Sequence, residues 1–349
     1  EADASIDIII GNNKKQELIP ILESYRTGHQ KTTECVDINH TKEYENLEID
    51  RTEEHTRAYL KVQDGCNQFC TYCIIPYARG RIRSKKTEDV VNEVKRLAAS
   101  GCQEVVLTGI HLSSYGKERP ENQENLLTLI QAVHQVDGIE RIRLGSLEPG
   151  IITEEFAAAI SSLPKVCPHF HLSLQSGCTT TLKRMNRRYT AEEYREKCEM
   201  LRKYYPAPAL TTDVITGFPG ETEEEFEESR SFVDSIHFYE THIFPYSKRE
   251  GTKAAGMPDQ LTEQVKKERS RILIALGKEH QREYMEQFLG QEKEVLFEEQ
   301  QTVEGQEYWT GHTMEYLKIA VISEENLENK RVVVQLREMI GQDLILAER

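Results

Sequence analysis

The chain has 349 residues, enough for two or three domains, and a formal net charge of −15. Because the protein as a whole repels phosphate, a nucleic-acid partner would have to meet a local basic patch. No apolar run is long enough to span a bilayer and no signal peptide opens the chain, so we expect a cytoplasmic protein without a membrane partner.

The first 50 residues indicate the end of an α/β domain followed by a linker. A strand-like apolar run covers residues 6–10, a turn signal follows at residues 11–13, and residues 14–25 have helical periodicity. Residues 36–56 are polar and charged without a clear period, which is typical of a linker. We therefore assign residues 1–50 to a remnant of an N-terminal α/β domain with its linker.

Residues 51–287 alternate between strand and helix patterns. Strands are predicted at residues 59–62, 104–109, 141–146, 169–174, 210–216 and 238–245. Helices are predicted at residues 87–99, 125–136, 154–162, 191–204 and 223–234, followed by a long charged helix at residues 262–288. Such alternation predicts parallel strands with crossover helices, and the polar residues that follow several strands favour a barrel with an active site at its carboxyl end.

Residues 288–349 form short runs of alternating apolar and polar residues, such as 294–297 and 331–336, with turn signals between them. This pattern predicts a small all-β domain, and we interpret it as a barrel. The segment contains six Lys/Arg and thirteen Asp/Glu, a charge balance that is unfavourable for binding phosphate.

Three of the eight cysteines, Cys66, Cys70 and Cys73, cluster after the first predicted barrel strand with the spacing C-x3-C-x2-C. Three thiolates on so short a loop can converge on one soft metal centre. On a 4Fe–4S cluster, three cysteines leave one iron open for a substrate or cofactor. A structural zinc site needs a fourth ligand. Zinc with Cys102 or a histidine as that ligand is the alternative at this stage.

The cysteine spacing, with Tyr72 just before the last cysteine, resembles the radical S-adenosylmethionine superfamily. The sequence at residues 66–81, CNQFCTYCIIPYARGR, is similar to the methylthiotransferase family. Further similar motifs follow in family order: TGIHLSSYG, HLSLQSG, LKRMNRRYT, TTDVITGFPGETEEEF and FPYSKREGTKAA. The last 60 or so residues resemble the RNA-binding TRAM domain. Within the family, IIPYARGR, GIHLSSYG and RLGSLEP are most similar to the branch that acts on N6-threonylcarbamoyladenosine in tRNA.

The resemblance implies a partial (β/α)6 radical-SAM barrel over residues 51–287 and a TRAM-like β-barrel over residues 288–349. It implies an enzyme that adds a methylthio group to C2 of N6-threonylcarbamoyladenosine next to the anticodon. One S-adenosylmethionine would supply the methyl group and a second the radical. The implied partners are tRNA and an electron donor such as flavodoxin or ferredoxin. The alternatives are the same chemistry on isopentenyladenosine tRNA or a ribosomal-protein aspartate, and a non-catalytic, zinc-stabilised RNA-binding protein.

Matching motifs place the site residues. The resemblance implies that Cys66, Cys70 and Cys73 hold the catalytic cluster. Candidate residues for binding S-adenosylmethionine are Tyr72, Gly109, His111, Ser146, Glu148, Gln175, Ser176, Arg188, Gly217 and Phe218. Two basic runs near the predicted barrel mouth supply the candidate RNA-binding residues Arg79, Arg81, Arg83, Lys85, Arg184 and Arg187. Tight turns, loop capping and solvated surface charge are the structural alternatives for these residues.

The family also carries an N-terminal domain in which three further cysteines bind a second 4Fe–4S cluster. In this sequence only Cys35 precedes Cys66, and one cysteine cannot hold a cluster. The resemblance therefore predicts a second cluster whose ligands are absent from this chain.

Overall fold

A computed structural model of the chain describes residues 3–47 and 56–349. The domain boundary that we placed between residues 50 and 51 lies outside the described residues, as do positions 48–55 of the interpreted linker. In the N-terminal segment, strand β1 (Ile8–Ile10) pairs in parallel with β2 (Thr32–Glu34), and helix α1 (Leu18–Gly28) connects them. This small β–α–β unit agrees with the prediction of an N-terminal α/β segment.

The central domain is an open barrel of six parallel strands, as predicted. Its strands are β3 (Arg57–Asp64), β5 (Glu104–Gly109), β6 (Arg141–Leu144), β7 (His169–His171), β8 (Ala209–Thr216) and β9 (Glu240–Pro245), and the two-residue β4 (Arg83–Ser84) pairs antiparallel with β3. Hydrogen bonds join β3, β5 and β6 into one sheet and β7, β8 and β9 into another. Parallel bridges from Ile142 to Val166 and from Leu147 to Leu172 connect the two sheets.

In the described residues, eight helices accompany this barrel, and the longer ones cover its outside. They are α2 (Ile75–Ala78), α3 (Thr87–Ala99), α4 (Leu126–His134), α5 (Glu154–Ser161), α6 (Thr179–Arg184), α7 (Ala191–Tyr204), α8 (Glu223–Ile236) and α9 (Glu263–Glu286). Since helices pack on the outer face, strands such as β5 are apolar on both faces, and the adjacent Val106 and Leu107, which point to opposite faces, are both buried. In the described ranges, none of the helices has the length and apolar character needed to cross a membrane.

The C-terminal domain is a closed five-stranded barrel, which confirms the predicted all-β unit. Its strands are β10 (Glu292–Val303), β11 (Gln306–His312), β12 (Lys318–Val321), β13 (Arg331–Ile340) and β14 (Leu344–Glu348), in the order β10-β11-β12-β14-β13. Close strand crossing requires glycine at position 311, because a Cβ atom there would lie 2.2 Å from the carbonyl oxygen of Leu296.

This C-terminal barrel docks against the amino ends of the central strands. Arg141, the first residue of β6, donates to the carbonyl oxygen of His312 at 2.8 Å, and Arg143 donates to that of Met314 at 3.0 Å. The ring of Tyr316 stacks on those of His169 and His312, with 4.6 Å between centroids in each case. The carboxyl end of the central barrel, where the cysteines lie, is therefore the end opposite to this contact.

Candidate functional site

The cysteine loop leaves the carboxyl end of β3 through a glycine that no other residue could replace without strain. Gly65 has a φ of +72°, and a Cβ atom there would lie 1.8 Å from the carbonyl oxygen of Arg81. The next residue, Cys66, donates its backbone N–H to the carbonyl oxygen of Gly80 at 3.0 Å. The returning segment at residues 80–81 thus packs directly against the start of the loop and fixes where Cys66 stands.

Backbone hydrogen bonds from other strand ends hold the middle of the loop. The N–H of Thr71 donates to the carbonyl oxygen of Met185 at 3.0 Å, and its hydroxyl donates to that of Arg184 at 2.9 Å. The N–H of Ala254 donates to the carbonyl oxygen of Thr71 at 2.8 Å. Segments that follow β7 and β9 therefore position the loop, so its conformation depends on the completed barrel.

The chemistry of the three thiols suits a cationic iron centre. Burial raises the pKa of the Cys66 thiol to about 11, and burial also raises the pKa of Cys73. Thiolates in such surroundings need a compensating positive charge, and a coordinated metal ion deprotonates a thiol outright. One such charge is already present, because Arg187 Nη1 donates to Cys70 Sγ at 3.5 Å.

The position of Cys102 does not suit the zinc alternative. Its Sγ donates to the carbonyl oxygen of Glu104 at 3.2 Å, at the first residue of β5 and therefore at the end of the central barrel opposite to the cysteine loop. A 4Fe–4S cluster needs no fourth cysteine here, because each of the three cysteines binds a different iron atom.

A polar network that includes two of the predicted residues adjoins the loop. The ring Nε2 of His111 lies 2.9 Å from Glu148 Oε2, and Gln68 Nε2 donates to the same carboxylate oxygen at 2.7 Å. Burial alone would raise the pKa of Glu148, but the hydrogen bond and charge of His111 hold it below its ordinary value. The backbone N–H of Gln68 also points to Cys66 Sγ at 3.4 Å. Gln68 was missed from sequence, although it stands inside the cysteine motif.

An aromatic wall lies on the other side of the loop. Phe218 is fully buried, and its ring packs edge-on against Tyr72 and Tyr246, with centroid distances of 6.4 and 5.5 Å. The preceding Gly217 has a φ of +68°, and a Cβ atom there would lie 2.4 Å from Lys266 Cγ. The tight turn after β8 thus places Phe218 next to Tyr72. Both belong to the predicted cofactor-binding residues.

Five predicted cofactor residues remain, and they differ in burial. Gln175 and Ser176 are buried after β7, and Gln175 has a φ of +69° and donates its N–H to the carbonyl oxygen of Asp213 at 2.8 Å. Gly109 ends β5. Ser146 and Arg188 are exposed and lie outside the polar network and the aromatic wall. Their assigned roles stay predictions.

Most candidate RNA-binding residues of the first basic run are engaged within the protein. Arg79 makes two hydrogen bonds to the carboxylate of Asp64, at 2.9 and 2.7 Å. Arg83 is buried and donates to the carbonyl oxygen of Arg79 at 3.0 Å. Lys85 is also buried and forms an ion pair with Glu93. The charged ends of these three side chains face protein groups and not the solvent.

The second basic run behaves similarly. Arg184 pairs with both carboxylate oxygens of Glu225, at 2.8 and 2.5 Å, and Arg187 turns toward the cysteine loop. Among the six candidates only Arg81 is exposed, and its guanidinium lies 4.6 Å from the centroid of the Phe69 ring. Of the predicted RNA-binding set, Arg81 is thus the one exposed side chain, and its role in binding RNA stays a prediction.

An open parallel barrel with a three-cysteine loop at its carboxyl end defines an enzyme of the radical S-adenosylmethionine class. The family model described as the Radical SAM superfamily matches residues 60–233. The match includes all three cysteines and runs from within β3 to beyond β8.

Curated relatives narrow the class. The threonylcarbamoyladenosine tRNA methylthiotransferase MtaB of Bacillus subtilis (strain 168) is 40% identical over 333 residues, covering 95% of this chain and 73% of that protein. The MtaB of Aquifex aeolicus (strain VF5) is 44% identical over 83% of this chain and 70% of its own length. The tRNA-2-methylthio-N(6)-dimethylallyladenosine synthase of Caldicellulosiruptor saccharolyticus is 44% identical over 70% of this chain and 52% of its own length. The chain belongs to the radical S-adenosylmethionine methylthiotransferase family, as its motifs predicted.

Proposed function

We propose that this protein adds a methylthio group to C2 of N6-threonylcarbamoyladenosine next to the anticodon of tRNA. The observation that carries the proposal is the loop of Cys66, Cys70 and Cys73 at the barrel mouth, in a chain 40% identical over 95% of its length to a relative named for that nucleoside. Relatives named for the dimethylallyl nucleoside cover 70–84% of this chain, less than the 95% matched by this MtaB relative. An electron donor such as flavodoxin or ferredoxin is part of the proposal.

The three cysteines would hold a 4Fe–4S cluster with one open iron. A cluster held there would supply one electron to S-adenosylmethionine, and cleavage of that sulfonium would give the radical that removes hydrogen from C2. Arg187 lies against Cys70, so it offsets negative charge on that thiolate. Phe218 and Tyr72 close one side of the site with apolar surface and limit the access of water to a reactive species.

The network of Gln68, His111 and Glu148 supplies the matching polar side. Because His111 keeps the Glu148 carboxylate ionised, this group can accept hydrogen bonds from a cation. We infer that Glu148 binds the ammonium of the methionine part of S-adenosylmethionine, and that His111 orients the carboxylate. The target base must leave its stack to reach this site, as enzymes that act on bases require.

The second cluster of the family belongs to this proposal as well. Since only Cys35 precedes Cys66, we infer that its ligands are not supplied by these 349 residues. The described residues 3–47 form the β–α–β unit that contacts the loop region, where Asn12 donates to the carbonyl oxygen of Ala78 at 2.8 Å. The sulfur-handling part of the reaction would take place on that side of the barrel mouth.

Mass spectrometry of tRNA nucleosides tests the assignment. Total tRNA from a strain lacking the gene should lose the methylthiolated form of N6-threonylcarbamoyladenosine and accumulate the unmodified form. Expression of the complete gene should restore it, and the same gene with Cys66, Cys70 and Cys73 all changed to Ala should not. Loss of the methylthiolated isopentenyladenosine instead would assign the protein to that substrate. No change in either nucleoside would refute a tRNA substrate.

A further inference from the structure

Two histidines and a glutamate come together on the outer face of the central barrel, far in sequence from the cysteine loop. His237 follows the last residue of α8, whereas His280 and Glu283 lie one turn apart on one face of α9. One nitrogen of each ring and one carboxylate oxygen all lie within 4.8 Å of one another. Three atoms of the kinds that bind transition metals therefore converge here.

The buried histidine of this group has a nitrogen with no partner. His280 is 2% exposed, and its Nδ1 is buried without a hydrogen bond to any of the described residues. Its Nε2 lies 3.2 Å from Asp234 Oδ1. A buried polar atom without a partner is costly. A carboxylate on the second ring nitrogen is also the arrangement that orients metal-binding histidines and fixes their tautomer. With Nε2–H donating to Asp234, the lone pair of Nδ1 is left free.

We propose that His237, His280 and Glu283 form a zinc site that is separate from the iron–sulfur centre. Zinc accepts two imidazole nitrogens and one carboxylate oxygen, and it completes its tetrahedron with water when one position stays open. The three residues line a cleft of about 330 Å³ that leaves room for such a water. The 3.0 Å contact between His237 Nδ1 and Glu283 Oε2 is the metal-free arrangement, which the ion would replace.

The surrounding charges are compatible with a cation. Asp234 and Glu283 contribute two carboxylates, and the nearby guanidinium of Arg202 is directed to the carbonyl oxygens of Ile236 and His237. The described contacts of Arg202 are therefore with backbone carbonyl groups and not with the carboxylates of Asp234 and Glu283.

The position of the site gives it a structural consequence. Next to Glu283, Tyr284 packs against Tyr239 and Phe288 with ring centroids 4.7 and 5.1 Å apart. These rings belong to the core of the C-terminal barrel. A zinc ion bound to His237 and Glu283 would link the end of α8 to α9, directly beside the packing of Tyr284. It would therefore stabilise the junction between the two barrels.

Zinc binding to the reconstituted iron–sulfur protein tests the proposal, because the cluster then occupies the three cysteines. We expect one tightly bound zinc per chain by metal analysis, and a rise in melting temperature when zinc is added back to protein from which a chelator has removed it. His237→Gln and Glu283→Gln change exposed side chains, and each should weaken zinc affinity by more than about 100-fold and abolish the rise. Asp234→Asn should weaken affinity by roughly 10–100-fold, as loss of an orienting carboxylate does.

Glu279→Gln is the matched control, since Glu279 is an exposed carboxylate on the same helix. It should bind zinc like the unchanged protein. Iron content measured on the same samples should be equal in all variants, which separates this site from the cluster. The proposal is overturned if the unchanged protein retains no zinc, or if His237→Gln and Glu283→Gln bind it as tightly as the control does.

Discussion

A single buried carboxylate, Glu104, faces three arginines where the two barrels meet. Replacing it by glutamine should lower the stability of both barrels. Glu104 is fully buried and accepts two hydrogen bonds from Arg143, at 2.9 and 3.3 Å. Arg57 and Arg141 lie 3.6 and 4.0 Å away. Arg141 and Arg143 also donate to the C-terminal barrel, so the charge of Glu104 holds the residues that join the domains.

The pKa of Glu104 gives the magnitude. Burial alone would raise this pKa, but the three guanidinium groups, Arg143 above all, lower it from the ordinary value of 4.5 to about 2. A pKa lowered by that much in the folded protein contributes roughly 3 kcal/mol to the free energy of unfolding at neutral pH. Removing one partner of a buried ion pair typically costs about 3–5 kcal/mol, so the two estimates agree. Glutamine keeps the shape of the side chain but leaves the arginines without this counter-charge.

Urea denaturation measures the effect. Trp309 is the only tryptophan and is buried in the C-terminal barrel, so its fluorescence reports on that domain, while far-UV circular dichroism reports on the whole chain. With a slope of about 3 kcal/mol per molar urea, Glu104→Gln should lower the midpoint by about 1 M in both signals. The control Glu121→Gln, at an exposed position of the central domain, should leave the urea midpoint unchanged.

The effect should also depend on pH in a defined direction. Since the pKa of Glu104 is depressed in the folded protein, its contribution is fully present above about pH 4.5 and is lost as the pH falls toward 2. The gap in stability between the unchanged protein and Glu104→Gln should therefore be constant near neutrality and shrink in acid. An unchanged midpoint for the Trp309 signal, or a gap that does not shrink, would refute the reasoning.

Two further predictions concern the carboxyl end of the barrel. Anaerobic reconstitution of the 349-residue chain should give about four irons per chain, and changing Cys66, Cys70 and Cys73 to Ala should leave none; about eight irons, or iron retained in the triple variant, would show a second set of ligands. Arg81→Gln should lower the salt slope of log K for tRNA by roughly one unit. Arg83→Gln should reduce stability and leave that slope unchanged, because Arg83 is buried; a flatter slope in Arg83→Gln alone would contradict the placement of the RNA.

The barrel strands were predictable from continuous apolar runs, as in β5, or from apolar residues alternating with polar ones, as in β6. The predicted strand at residues 104–109 has the same bounds as β5. The strand predicted at residues 169–174 is regular only over His169–His171. Beyond it the chain still makes single ladder bonds, such as Leu172 N–H to the carbonyl oxygen of Thr211 at 2.9 Å, before Gln175 turns with positive φ. Apolar alternation continues through such a stretch, so sequence alone cannot show where the regular ladder stops.

The basic runs show what the sequence could not predict about the site. A run of positive charge is the same in a sequence whether its partners are phosphates or carboxylates. The partners of Arg79 and Arg184 lie 15 and 41 positions away, at Asp64 and Glu225, and only the fold brings them together. Cysteine spacing is more informative, because three ligands within eight residues stay close together in any fold, although their final arrangement depends on contacts with Met185 and Ala254.

The placement of the two barrels also constrains how the RNA binds. The C-terminal barrel contacts the amino ends of the central strands, whereas the cysteine loop lies beyond their carboxyl ends. An eight-residue strand such as β8 (Ala209–Thr216) is roughly 26 Å long. Since barrel strands are tilted by about 36° to the axis, a tRNA that presents a base to the loop and also touches the C-terminal barrel must run along the central barrel over roughly 20 Å. With an acidic barrel at one end, we expect the exposed Arg81 beside the loop to attract the base-carrying segment of the RNA.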